Sequence, residues 1–303
     1  MPRVLHTAQA LVDVVLEIDA LPPRGGNANA RSEHRYAGGA VTILVSAART
    51  GAKAVHGGAH GVGPNGDLLR AALAKDGVAL ADEPREGQDS GYCVVMVEPT
   101  AQRTFLTVYG AEREITAQSL ARLAPEPGDL VCVSGYTLFG PTREPLLEFL
   151  ESLPAGIDVV LDPGDAFAEF PRELQERVLA VTTVWTSNAD EARALTDLDA
   201  LEDTPAAIRR RLRPGAVVIV RDGDRGCLVF HHGRGTEIPA FPQTPVDTNG
   251  AGDTHTGVLL AERALGADWE SAATRANAAA AIAVTRRGPE SAPTRAEVDE
   301  FLS

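Results

Sequence analysis

The stretch Asp247-Thr-Asn-Gly-Ala-Gly-Asp253, followed by Thr-His-Thr-Gly257, concentrates the residue types able to do chemistry. Three small residues, Gly250, Ala251 and Gly252, open an amphipathic helix. A helix start leaves main-chain N–H groups unpaired and carries a partial positive charge. With no bulky side chain in the way, a phosphate can approach those donors closely. Such a cradle needs no lysine, and the chain has only Lys53 and Lys75. Asp253 stands at the cradle's edge. A carboxylate there repels an anion, but it makes sense as the acceptor of a proton from an attacking hydroxyl. The plainer reading is an ordinary glycine-containing helix cap, and local physics leaves both open.

Other candidates carry less. Gly61-Val-Gly-Pro-Asn-Gly66 matches G-x-G-x-x-G and precedes a helix, but a lone match is weak and Pro64 does not suit a dinucleotide turn. His231-His232 sits at a strand, where neighbouring rings point to opposite faces, so a metal pair is not expected. Neither lysine stands in a phosphate-binding loop of the Gly-Lys-Ser/Thr type. Cys93, Cys132 and Cys227 lie far apart in apolar runs and read as small buried hydrophobes in a reducing compartment.

Around these residues, short β-rich runs alternate with helical stretches almost throughout. Strands are expected at Leu11–Asp19, Ala54–His56, Leu130–Ser134, Asp158–Asp162, Val181–Ser187, Ala216–Arg221 and Cys227–His232. Tyr92–Glu98 and Thr104–Tyr109 read as a hairpin. Helices are expected at Ala40–Arg49, Asp67–Lys75, Arg143–Ser152, Pro171–Leu179, Ala189–Leu195, Pro205–Leu212, Gly252–Leu265, Trp269–Arg286 and Arg295–Leu302. That alternation predicts an α/β fold, a mostly parallel sheet with helices on both faces and a small β appendage from the early strands. No linker divides residues 1–303, so one domain is expected. Hydrophobic residues at 44% suffice for a core, and the net charge of −14 makes nucleic acid and membrane surfaces poor partners. Asp13, Glu17 and Asp19 interrupt the first apolar stretch, and no run is long enough for a membrane span, so a cytoplasmic protein is expected.

The motifs together resemble the ribokinase-like (PfkB) carbohydrate kinases. Asp247–Asp253 matches that family's D-T-x-G-A-G-D signature. Ala37-Gly-Gly39 ahead of a helix ending Ala48-Arg-Thr-Gly51 resembles its di-glycine element, and Asn188-Ala-Asp-Glu191 its N-x-x-E element. Val218–Gly226 resembles its strand–turn–strand near the nucleotide, and Arg275–Gly288 its nucleotide-site helix and following loop. The resemblance implies a three-layer α/β/α sandwich with a β-strand lid drawn from residues 11–19, 27–36, 92–98 and 104–109. It implies transfer of the ATP γ-phosphoryl group to a sugar hydroxyl, with Asp253 as base and Gly250, Ala251 and Gly252 as anion hole. Glu191, with Asn188, would organise Mg2+ through water; a helix cap with a first-turn acid is the alternative.

By the same resemblance Asp13, Gly38 and Gly39 would meet the sugar, and an unpaired carboxylate in an apolar strand does need a partner. Thr42 falls where relatives commonly place an asparagine that reaches substrate. Arg221, Gly223, Gly226 and Asn277 would border the nucleotide, and His255 replaces a frequent phenylalanine as a packed helix residue. Asp247 and Asn249, with carbonyls near Gly288 and Ser291, resemble a monovalent-cation loop, which raises K+ activation. Lid strands of this family often pair between subunits, which leaves a homodimer open. A nucleoside kinase and a non-catalytic nucleotide-binding regulator are the alternatives.

Overall fold

The computed structural model describes residues 1–100, 102–288 and 291–303. Its large sheet takes β1 (Arg3–His6), β4 (Lys53–His56), β5 (Ala79–Leu80), β8 (Leu130–Ser134), β9 (Asp158–Asp162), β10 (Val184–Asn188), β11 (Val217–Arg221), β12 (Cys227–His231) and β13 (Arg234–Ile238). The spatial order is β13-β12-β11-β10-β9-β8-β1-β4-β5. From β11 through β5 every neighbouring pair is parallel; β12 and β13 add an antiparallel edge.

Residues of these strands alternate between two cores, as the period of two requires. Val4, Leu130 and Cys132 join one core with α1 (Ala40–Arg49), α2 (Pro64–Lys75), α8 (Ala251–Ala264), α9 (Trp269–Ala283) and α10 (Arg295–Leu302). Leu5, Val131 and Val133 join the other, with α4 (Arg143–Glu151), α5 (Arg172–Val181), α6 (Ala189–Thr196) and α7 (Thr204–Arg209). Short α3 (Ala117–Ala121) covers the same side through Leu120. Helices on both faces bury the parallel strands completely, which is why those strands read as continuous apolar runs.

A second sheet, β3-β2-β6-β7, is built from β2 (Ala10–Ile18), β3 (Ala30–Gly39), β6 (Tyr92–Val97) and β7 (Arg103–Val108). β2 pairs antiparallel with β3 and parallel with β6, and β6 pairs antiparallel with β7. This is the expected lid. One boundary moves: the expected strand at 27–36 runs from Ala30 through Gly39, so the two glycines belong to a strand rather than a turn.

β1, β5 and β13 were not expected. β1 is the most consequential, because it lies between β8 and β4 and the chain builds outward from it in both directions. In an open parallel sheet, ligands bind beyond the carboxyl ends of the strands at such a reversal.

Candidate active site

Three polar residues end neighbouring strands on that rim: Asp162 on β9, Asn188 on β10 and Arg221 on β11, the last two adjacent in register. The start of α8 faces them. Gly250 takes a left-handed conformation (φ 74°) to turn the chain into the helix. The N–H of Thr254 is the first to reach back, to the Gly250 carbonyl at 2.8 Å. Among the described residues the N–H groups of Gly252 and Asp253 have no acceptor, while Ala251 N reaches the Thr248 carbonyl at 3.4 Å, so two donors stand open at the start of α8.

Arg221 lies directly beneath that helix start. Its Nη1 donates to Thr256 Oγ1 (2.7 Å), Thr186 Oγ1 (3.1 Å), the Gly252 carbonyl (3.4 Å) and Asp162 Oδ2 (3.4 Å). Only 14% of its side chain is exposed, and 17% of that of Asp162. It therefore ties the start of α8 to the ends of β9 and β10. Asp162, Thr186 and Thr256 had no expected role. An acid at the carboxyl end of a central parallel strand is the signal that marks Asp162.

The charges around this point are unbalanced. Burial, then Asp162, pushes the Asp253 carboxyl up to about 7, while Arg221 holds it down and Asp13 and Glu191 add to the rise. Glu191 is also raised to about 7, by burial and by Asp162. Burial alone raises Asp13 to about 6. A carboxyl poised near neutrality in a cleft suits a general base. Burial holds the Cys132 thiol well above its ordinary range, so it is not a nucleophile here.

Asp13 comes from the lid. Its carboxylate lies over Gly38 so closely that a Cβ at that position would collide with it, which explains the glycine. Gly39 is similarly tight against the Gln9 carbonyl. Thr42 lies on the first turn of α1 and lines a crevice with Ala72, Lys75 and Asp76 of the α2 side. Its buried hydroxyl has no partner. Outward from Asp13 along the same face of β2, Val15 and Glu17 line a cavity of about 240 Å³. His34, Tyr36, Val95, Arg103 and Asn249 also line it.

Asn188 and Glu191 form a reciprocal cap at the start of α6. Asn188 Oδ1 accepts from Glu191 N (2.8 Å), and Glu191 Oε2 from Asn188 N (2.9 Å). The capping reading thus describes their geometry, and the remaining carboxylate oxygen belongs to the charged cluster. Gly223 and Gly226 make the turn from β11 to β12. Asn277 is 7% exposed; its amide donates to the Ile238 and Pro239 carbonyls (3.0 and 3.1 Å). Its Oδ1 meets Nε2 of the packed His255 at 3.1 Å. Its polar groups meet protein, so it braces the wall behind 238–240.

Asp247 holds its loop closed, accepting from Asn249 N (2.9 Å) and Gly288 N (3.0 Å). Asn249 Oδ1 accepts from Arg103 of β7 at 3.2 Å, which ties the lid to this loop. The rings of His231 and His232 do not diverge as expected. Their centroids lie 3.7 Å apart with the planes tilted by 34°, because His232 has left the strand with φ 52°. The glycine-rich entry to α2 is already filled: Asp89 accepts from Asn65 N and Gly66 N at 3.0 and 2.8 Å. A carboxylate of the protein thus occupies the place a pyrophosphate would take.

Comparison with known proteins agrees with this arrangement. Residues 1–295 match the pfkB family of carbohydrate kinases. An Escherichia coli K12 protein described as the uncharacterized sugar kinase YegV is 35% identical over 298 residues, 97% of this chain and 92% of its own. Ribokinase of Bacillus subtilis is 29% identical over 298 residues, 96% of each chain. The structure of Arabidopsis thaliana ribokinase complexed with ribose and ATP superposes with a TM-score of 0.82 at 22% identity. It covers 100% of this chain and 99% of that one, a likeness of fold. No described helix is long and apolar enough to cross a membrane. A match over nearly the whole length, on a ribokinase-like three-layer α/β/α sandwich, places the chain in the pfkB family of ATP-dependent carbohydrate kinases.

Proposed function

We propose that the protein transfers the γ-phosphoryl group of Mg·ATP to a hydroxyl of a small, uncharged carbohydrate. The observation that carries this is a single one: a carboxyl poised near neutrality, Asp253, beside two unpaired helix-start N–H groups. Asp253 takes the proton of the attacking hydroxyl, and the main chain of Gly250, Ala251 and Gly252 receives the negative charge of the transferring group. Asp13, reached over Gly38 and Gly39, holds further sugar hydroxyls, and the lid sheet excludes water that would otherwise accept phosphate. Gly223 and Gly226 border the nucleotide.

Among the described residues no three acidic, imidazole or thiol groups converge to hold a metal directly. The chemistry of Glu191 and Asp162 fits Mg2+ held through water. When bound, Mg2+ supplies positive charge to the phosphates; the chain's own part is to orient it. Glu191→Gln is expected to keep the fold, since glutamine also serves the reciprocal cap. It should raise the Mg2+ concentration needed for half-maximal activity. An unchanged Mg2+ titration in the mutant would return Glu191 to capping alone.

Potassium, held near Asp247 and Asn249, is a finer part of the reading. Activity unaltered when K+ replaces Na+ would remove it. Pairing of two copies through the lid is supported by β7, an edge strand that leaves Phe105, Leu106 and Val108 exposed. Light scattering on Leu106→Arg should give a monomer where the parent gives a dimer. A parent that is already monomeric would end this part of the reading.

A nucleoside acceptor is favoured by one observation, the cavity beyond Asp13 with the stacked rings of His34 and Tyr36 on its wall. A panel of free sugars, nucleosides and sugar phosphates, scored by ADP release, separates the two. Turnover confined to phosphorylated sugars would contradict an uncharged acceptor.

A further inference from the structure

On the body of the protein at the root of the lid, Arg85, Arg113 and Arg122 line one open groove of about 490 Å³, with two acids, Asp82 and Glu114, and Gln118 also on its wall. Three guanidinium groups in one groove are unexpected in a chain of net charge −14. Asp82, its side chain 2% exposed, pairs with two of them, Arg85 at 2.7 Å and Arg122. Arg113 has no carboxylate in ion-pair reach among the described residues. It donates to Gln9 Oε1 (3.1 Å), the Tyr136 carbonyl (3.4 Å) and the Phe139 carbonyl, and it stacks on the Tyr109 ring at 4.7 Å. Its guanidinium is therefore held by hydrogen bonds rather than by a direct ion pair, with the Glu112 carboxylate acting on it from farther away.

Arg113 is also where the lid is rooted. Gln9 immediately precedes β2, and Tyr109 immediately follows β7. We propose that this groove binds a small phosphate-bearing anion between Arg113, Arg85 and Arg122, and that its occupancy restrains the root of the lid. Planar guanidinium groups that still have free N–H donors match phosphate oxygens in geometry and charge. The site is separate from the cradle at 250–252 and does not rest on the reading of the transferred group.

The test uses the full chain with its nucleotide site filled by a saturating non-hydrolysable ATP analogue. Inorganic phosphate, pyrophosphate and ribose 5-phosphate are titrated by calorimetry. Pyrophosphate should bind, and tightest binding by ribose 5-phosphate would identify a phosphorylated sugar as the natural class. Arg122→Gln leaves Arg85 on Asp82, and Gln118→Glu puts a carboxylate on the exposed wall. Each should weaken binding by about tenfold or more. Hydrogen exchange at 103–109 should slow when pyrophosphate is bound. Absence of binding by all three anions, or equal affinity in parent and both variants, overturns the proposal. Binding without any change in exchange at 103–109 overturns the link to the lid.

Discussion

Asp253→Asn is expected to lower kcat by about 10²–10⁴-fold, the usual worth of general-base catalysis, while fold and nucleotide affinity persist. Side-chain volume hardly changes, and asparagine serves a helix start as well as aspartate. What disappears is the proton acceptor and one negative charge beside the cradle. The same group sets a pH dependence. With its carboxyl raised to about 7, the parent should lose activity as pH falls below 7 and reach a plateau above it. The residual activity of the mutant should lack that limb. Wild-type-like turnover in a folded Asp253→Asn protein would sink the mechanism.

Stability should move the other way. A carboxyl whose folded pKa lies above its unfolded value binds its proton more tightly in the native state. Stability then falls as pH rises from about 4 toward 7, and above 7 the full cost of an ionised, desolvated carboxylate remains. Asp253→Asn removes that cost, so its thermal midpoint should exceed the parent's at pH 8, with the difference shrinking toward pH 4. A structural Asp253 would give the opposite, a lowered midpoint with turnover little changed. Such a trade of stability for activity is common where an active site stores unfavourable charge.

The ordering of strands and helices was largely readable from the chain, because completely buried parallel strands and amphipathic helices carry strong, distinct patterns. Arg295–Leu302 and Leu130–Ser134 fall where the periodicity puts them. β1 escaped because Arg3-Val-Leu-His6 is four residues long and ends in polar groups at both sides. Within the site, the α8 start announced itself through glycine spacing. Asp162 did not, because its importance comes from the strand order around β9, which no local pattern encodes. The direction of Arg221 was equally hidden. Its strand could be placed, but whether the guanidinium rises to the rim or lies under α8 is settled by Thr186, Thr256 and Asp162, from three different elements.

Arg221→Met should be the more damaging substitution for the protein as a whole. Arg221 is the cation that opposes the rise of both Asp253 and Glu191. It also holds the Gly252 carbonyl and Thr256, so the cradle loses its anchor along with its counter-charge. Removing one partner of a buried ion pair typically costs about 3–5 kcal/mol, because the other charge stays buried and uncompensated. The acidic limb of the pH–rate profile should therefore move upward by about one unit or more, and kcat at pH 7 should fall further than at pH 9. Destabilisation should grow with pH above the ordinary carboxylate range, since it is the ionised forms of Asp162, Asp253 and Glu191 that lose their partner. Arg221→Lys keeps the charge but cannot span Thr186, Thr256 and Asp162 together, so it should leave the pH limb near the parent's while lowering kcat. If Arg221→Met alone fails to fold, the double variant with Asp162→Asn removes the orphaned charge and should recover stability without recovering activity. A folded Arg221→Met enzyme whose pH limb coincides with the parent's would show that the guanidinium does not tune the base.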